Sequence, residues 1–197
     1  MSLGDWRLWW GKRRWYERNR RLSRRWRLNR HAARGGYFIR FPVEGELLEA
    51  LDSGRLEIGR DTLLEPGCWL TLGPEARIVI GQGCFLNRET MLAATESIVI
   101  GDHVMFANRG FVGDADHRYD DDTVPVTTQG FEGRGPVVIG SNCWFGVNCV
   151  VTGGVTIGER CVIGANSVVT KDLPPGVIAV GSPAKVIRQI EFKQRGR

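Results

Sequence analysis

A segment made of an aliphatic residue, any residue, Ile and Gly recurs five times along the chain, and no other feature restricts the fold as much. It occurs as Leu56-Glu57-Ile58-Gly59, Ile78-Val79-Ile80-Gly81, Ile98-Val99-Ile100-Gly101, Val137-Val138-Ile139-Gly140 and Val155-Thr156-Ile157-Gly158. The successive isoleucines are 22, 20, 39 and 18 residues apart. From Ile139 onward the step is six, through Phe145, Val151, Ile157, Ile163 and Val169. Six residues suit one short strand plus a turn, and three such steps close a triangular coil of about 18 residues with its aliphatic side chains stacked inside. Intervals of 20 and 22 are coils with small corner insertions, and the interval of 39 is one coil with an extruded loop of roughly 21 residues, placed at 113–136. Each coil buries its faces only against its neighbours, so several must stack. The sequence supplies about six, from about Ile58 to about Val180. The expected fold class is all-β, a parallel β-helix.

Five cysteines (Cys68, Cys84, Cys143, Cys149, Cys161) raise the question of disulfides, metal or a nucleophile. All five fall four residues after an inward aliphatic or aromatic residue (Leu64, Ile80, Ile139, Phe145, Ile157), at a tight corner where a small side chain is required. Thr62, Ala76, Thr90, Val104, Val155 and Ser167 occupy the same place elsewhere. Cysteine is therefore read as a small buried residue, and no pair has the CxxC spacing of a metal site.

Charge divides the chain in two. Residues 1–34 hold 12 Lys and Arg against the two acids Asp5 and Glu17, while the remainder carries 15 against 20. The basic pI of about 9.2 therefore describes an arm attached to a mildly acidic body. That arm has five of the seven tryptophans (Trp6, Trp9, Trp10, Trp15, Trp26) interleaved with arginine, and neither Gly nor Pro between Lys12 and Ala33. A helix is expected, with Leu8, Trp15, Leu22 and Trp26 on one narrow stripe. It would pack along the β-helix or cap its open first coil, lie on an anionic membrane surface, or bind an acidic polymer; nucleic acid is the least favoured partner. The segmentation is a basic arm at 1–36, a lead-in at 37–57, the β-helix at 58–182 and a tail at 183–197. No apolar run approaches the roughly 20 residues of a membrane span, and the basic start lacks a signal peptide's apolar core. A cytoplasmic protein, peripheral at the inner membrane face if the arm binds lipid, is expected.

From Ile58 to Arg188 the chain resembles the hexapeptide-repeat acyltransferases, in particular the branch that O-acetylates sugars, exopolysaccharide units or antibiotics. The passages that carry the resemblance are Ile157-Gly158-Glu159-Arg160-Cys161-Val162-Ile163-Gly164-Ala165, Val168-Val169-Thr170-Lys171-Asp172-Leu173-Pro174-Pro175 and Val180-Gly181-Ser182-Pro183-Ala184-Lys185-Val186-Ile187-Arg188. The resemblance implies a left-handed β-helix, a homotrimer with sites shared between subunits, and acetyl-CoA as co-substrate, with no metal. In Asp114-Ala115-Asp116-His117-Arg118-Tyr119-Asp120 it implies that His117 is the catalytic base. An acceptor hydroxyl is a poor nucleophile, and an imidazole that takes its proton contributes typically about 10²- to 10⁴-fold. Asn87 matches an asparagine that contacts the acceptor, and its alternative role is satisfaction of a turn backbone. Asp114, Asp116 and Asp120 to Asp122 could orient His117 or bind a cation, or form a solvated loop face, with Asp116 the favoured orienting group.

By the same resemblance Trp144, Gly146 and Ala165 would line the pantetheine arm with Thr170 and Lys171 beyond them, and Lys185 and Arg188 would meet the nucleotide phosphates. Val147 stands where some relatives carry a serine touching the cofactor. No serine or cysteine is placed to form an acyl-enzyme, so direct transfer to a saccharide or small-molecule acceptor is expected. Two rival classes share the pattern. One is the γ-type carbonic anhydrases, which need paired histidines that His31, His103 and His117 do not supply; the other is a non-catalytic membrane- or polymer-binding β-helix.

Overall fold

The computed structural model describes residues 22–192. Leu8 and the tryptophans Trp6, Trp9, Trp10 and Trp15 lie outside the described residues. Three parallel sheets form the sides of a left-handed prism of about six turns. The first stacks Phe38–Ile39, Leu63–Leu64, Phe85–Leu86, Met105–Phe106, Trp144–Phe145, Val162–Ile163 and Val177–Val180. The second stacks Glu44–Gly45, Trp69–Leu72, Met91–Ala94, Phe111–Gly113, Val150–Val151 and Val168–Val169. The third stacks Leu56–Ile58, Arg77–Ile80, Ser97–Ile100, Val137–Ile139 and Thr156–Ile157. The repeat isoleucines pair in register as one column, Ile58 with Ile80, Ile100, Ile139 and then Ile157. At the core of the first sheet, Phe106 and Phe145 stack with centroids 4.3 Å apart.

The hexad turns through a left-handed backbone at its fourth position. Asp61, His103, Asn142, Asn148 and Arg160 have φ between 56 and 61°, and glycines serve at Gly67, Gly83 and Gly154. Short polar side chains tolerate this backbone best, in keeping with Asp61, Asn142, Asn148 and Asn166, while Glu89, His103, Arg109 and Arg160 adopt it as well, held by the coil on either side.

The prism starts earlier than Ile58. Phe38–Ile39 and Glu44–Gly45 pair in parallel with Leu63–Leu64 and with Trp69–Leu70, so the lead-in segment is itself the first coil. Its hexad pattern is hidden because helix α2 (Leu47–Asp52) fills one corner. Helix α1 (Leu22–Gly35) lies against that coil. The face it buries is Arg24, Leu28 and Ala32, whereas Leu22 is 81% and Trp26 63% exposed. The described members of the expected stripe, Leu22 and Trp26, thus face away from the coil. The first coil ends in carbonyls with no further coil among the described residues to bond, and the Arg24 guanidinium donates to two of them, Val43 O at 3.1 Å and Gly45 O at 2.9 Å. A polar sheet edge calls for a forked donor, which apolar side chains cannot provide. Burial pulls the Arg24 pKa down, opposed by Glu44 and Glu46.

At the other end Lys185–Gln189, expected as a tail, runs antiparallel to Val177–Val180 and adds a strand to the first sheet.

Candidate functional site

The one long break in the register leaves the prism after Gly113 and returns at Val137. Its root is a two-stranded antiparallel ribbon, Ala115–His117 against Phe131–Gly133. Asp114 anchors it. This carboxylate is fully buried and accepts hydrogen bonds from the backbone N–H groups of Thr95, Glu96 and Ser97 at 2.7 to 2.8 Å and from the Thr95 hydroxyl at 2.9 Å. Asp114 is thus neither a solvated loop residue nor an orienting group for His117. On the far side Arg134 N bonds Asp114 O, and Gly154 N bonds Gly135 O, which tie the returning strand to the next coil.

Alternation along the ribbon decides what each side chain meets. Asp116 and Glu132 are cross-strand partners and share Arg134, at 2.9 and 3.0 Å. His117 projects from the other face, opposite Phe131, with ring centroids 4.4 Å apart. Asp116 therefore engages Arg134 instead of orienting His117, and an aromatic ring sets the imidazole's attitude. His117 is exposed.

Asn87 closes a turn of the third coil. It is half-buried, and its Nδ2 donates to Phe106 O at 2.5 Å. Backbone bonds run from Asn87 N to Phe106 O, from Ala107 N to Phe145 O, from Gly146 N to Ile163 O and from Gly164 N to Ala179 O. These four residues form one column along the corner between the first and second sheets. With parallel strands about 4.8 Å apart, Asn87 and Gly146 are separated by roughly 10 Å. A Cβ on Gly146 would lie 2.6 Å from Ala165 N, so only glycine fits there, and Ala165 stands exposed beside it. Val147, next in line, is 38% exposed.

Trp144 belongs to a second column on the outer face of the first sheet. Phe38, Leu63, Phe85, Met105, Trp144, Val162 and Ile178 succeed one another there in register, and Arg188 pairs with Ile178 at the end. Phe38, Phe85, Met105 and Trp144 are 41 to 59% exposed, a continuous apolar strip. At its first end a groove of about 710 Å³ opens against α1, lined by Ala32, Tyr37, Phe38, Arg40, Asp61 and Phe85 among others. Tyr37 is 5% exposed, its hydroxyl lacks a partner among the described residues, and burial pushes its pKa up to about 12.

Thr170 and Lys171 follow Val168–Val169 on the opposite corner, between the second and third sheets, the same corner from which the His117 loop departs. Within one chain the sequence-assigned residues therefore form two groups with the second sheet between them. One comprises Asn87, Trp144, Gly146, Ala165, Lys185 and Arg188; the other comprises His117, Thr170 and Lys171.

The five cysteines are buried and reduced. Each Sγ points at a carbonyl of the following coil, as with Cys84 to Gly101 O at 3.1 Å, Cys143 to Gly158 O at 3.2 Å and Cys149 to Gly164 O at 3.1 Å. Thr62 makes the same bond to Gly81 O at 2.7 Å. Burial pushes the Cys68 and Cys143 thiols up to about 12, so neither is a nucleophile near neutral pH. The histidines stand in three separate places. His31 on α1 bonds Asp52 at 2.9 Å, His103 occupies a corner and His117 the loop. Among the described residues no group of His, Cys, Asp and Glu could hold a metal ion.

A coiled prism with a single extruded histidine loop defines a class, and comparison with known proteins identifies it. Residues 136–171 match the family described as hexapeptide repeat of succinyl-transferase. The chain is 36% identical over 188 residues to a Mycobacterium tuberculosis protein named as a probable acetyltransferase, aligning 88% of itself with 57% of that protein. It is 34% identical to the galactoside O-acetyltransferase of Lactococcus lactis, covering 74% of this chain and 67% of that one. A galactoside acetyltransferase solved in complex with coenzyme A superposes with a TM-score of 0.63 at 33% identity, covering 74% of this chain and 71% of that one. The chain belongs to the hexapeptide-repeat acetyltransferases. It spans little more than half the length of the mycobacterial relative.

Proposed function

We propose that this protein is an O-acetyltransferase that moves the acetyl group of acetyl-CoA directly to a hydroxyl of a sugar or saccharide intermediate, with His117 as general base. The observation that carries this reading is the presentation of His117, exposed on a ribbon whose root is pinned by Asp114, at the one break in the family scaffold. The imidazole removes the acceptor proton as the oxygen attacks the thioester carbonyl. Backbone N–H groups stabilise the oxyanion, and the proton then passes to the departing thiolate. Asn87 steadies the acceptor through its amide oxygen, since its Nδ2 is committed to Phe106.

Pantetheine would follow Trp144, Gly146 and Ala165, with Lys185 and Arg188 toward the phosphates. The separation of the two residue groups supports a homotrimer in which the first corner of one copy meets the His117 corner of the next, and in which Thr170 and Lys171 reach the cofactor from that second copy.

The test is acetyl-CoA-dependent CoA release across a panel of simple sugars, nucleotide sugars and hydroxylated antibiotics, with CoA affinity measured in parallel. His117→Ala should lower kcat by about 10²- to 10⁴-fold and leave CoA affinity unchanged. Release at an undiminished rate in that variant would remove His117 from the mechanism.

A further inference from the structure

Helix α1 meets the prism with one face and leaves a second, chemically distinct face in solvent. At 3.6 residues per turn, Leu22, Trp26, Asn29 and Ala33 form a stripe roughly 140° around the axis from Arg24, Leu28 and Ala32. Leu22 is 81% and Trp26 63% exposed, although these are the two most apolar large side chains on that side of the helix. Capping of the first coil explains Arg24 and Leu28 and gives no role to the stripe.

The cations sort in the same way. Arg24 is used by the coil edge, Arg27 pairs with Asp52 at 2.6 Å, and Arg25 lies over the Phe41 ring. Arg30 and Arg34 remain exposed beside the stripe, the Arg30 guanidinium 5.5 Å from the Trp26 ring centroid. Upstream, residues 1–21 add seven Lys and Arg and the four tryptophans Trp6, Trp9, Trp10 and Trp15. The first 34 residues thus carry 12 cations against two acids, on a body with 15 cations against 20 acids.

We infer that α1, with the basic segment before it, is an interfacial anchor that holds the protein on a bilayer containing anionic lipid. Leu22 and Trp26 enter the headgroup boundary, where an indole has both an apolar body and a donor to satisfy. The flanking arginines meet the lipid phosphates. The acidic body is repelled by the same surface, so the field of the whole molecule turns the α1 end toward the membrane. No described helix is long and apolar enough to cross a bilayer, so α1 lies on the surface. A soluble polyanion would be gripped by the arginines alone and would leave the apolar stripe in water, which is why a lipid surface is the favoured occupant.

The inference does not depend on the transferase reading. Its test is sedimentation of the full chain with phosphatidylcholine vesicles, with and without phosphatidylglycerol. Binding is expected only with the anionic lipid, is weakened by salt, and shifts tryptophan emission to the blue. The Leu22→Ser/Trp26→Ser variant should bind about tenfold or more weakly while its affinity for heparin stays unchanged. Both substitutions are at exposed positions, so circular dichroism and elution volume should match the parent. Equal vesicle binding by the variant, no binding by the parent, or loss of heparin affinity together with lipid affinity would each overturn the anchor. A changed elution volume in the variant would assign the stripe to a second copy of this chain and overturn it as well.

Discussion

The inward corner position of the hexad shows how one small side chain can serve two purposes. The cysteines and Thr62 at this place fill a narrow corner and also donate to a carbonyl of the following coil, as Cys143, Cys161 and Thr62 do at 3.2, 3.2 and 2.7 Å. The six-residue register made the burial of all five cysteines legible. The second purpose was not legible, because the donor's target lies one coil away. Because burial raises the Cys68 and Cys143 pKa from 9.0 to about 12, the folded state holds these protons more tightly than the unfolded chain. Their contribution to stability is complete below pH 9 and is lost as pH rises toward 12. Urea midpoints measured from pH 8 upward should fall through that window. Replacing both residues by serine should flatten the fall, and native thiols should resist iodoacetamide until the chain unfolds. The anchoring role of Asp114 was not among the roles the sequence suggested for it, although its signal was present. It stands two residues after inward Val112, where an acid is tolerated only with its hydrogen bonds satisfied, and three backbone donors at Thr95, Glu96 and Ser97 satisfy it.

The elements differ in how far their partners could be foreseen. A strand of the prism meets copies of its own pattern, so period and spacing were enough to place Ile80 beside Ile100. Helix α1 meets a surface that has no repeat. The end of a parallel coil is a row of carbonyls, so the buried face of α1 is decided by the residue that bonds them, and the apolar stripe of Leu22 and Trp26 stays outside. Arg24 is therefore the residue on which the cap depends. Arg24→Ala would leave Val43 O and Gly45 O without their charged donor and should cost about 1.5–3 kcal/mol. Urea unfolding should show a lower midpoint with an unchanged slope. Arg24→Met, which keeps the apolar stem, should recover little of the loss. Recovery of most of it would mean that the stem's packing holds the helix and that the two hydrogen bonds contribute little.

At the scale of the whole molecule the two groups of candidate residues set the remaining problem. Asn87 and Gly146 share one corner of the prism, the His117 loop leaves from another, and the second sheet stands between them. The family resemblance identified these residues one at a time, but a linear sequence carries no signal of which corner belongs to which copy. In the proposed trimer each site takes its histidine from one subunit and its asparagine from the next. A His117→Ala chain and an Asn87→Ala chain should therefore each be nearly inactive alone and complement one another when refolded together. With random assembly three quarters of the trimers are mixed, and each mixed trimer has one intact site in three. The recovered CoA-release activity should be about one quarter of the parent's. A site built within one chain predicts no recovery at any mixing ratio, because no subunit then holds both side chains. Light scattering on the same mixture separates the two ways of failing. A trimer without recovery would move the site into a single subunit, whereas a monomer would remove the shared site itself.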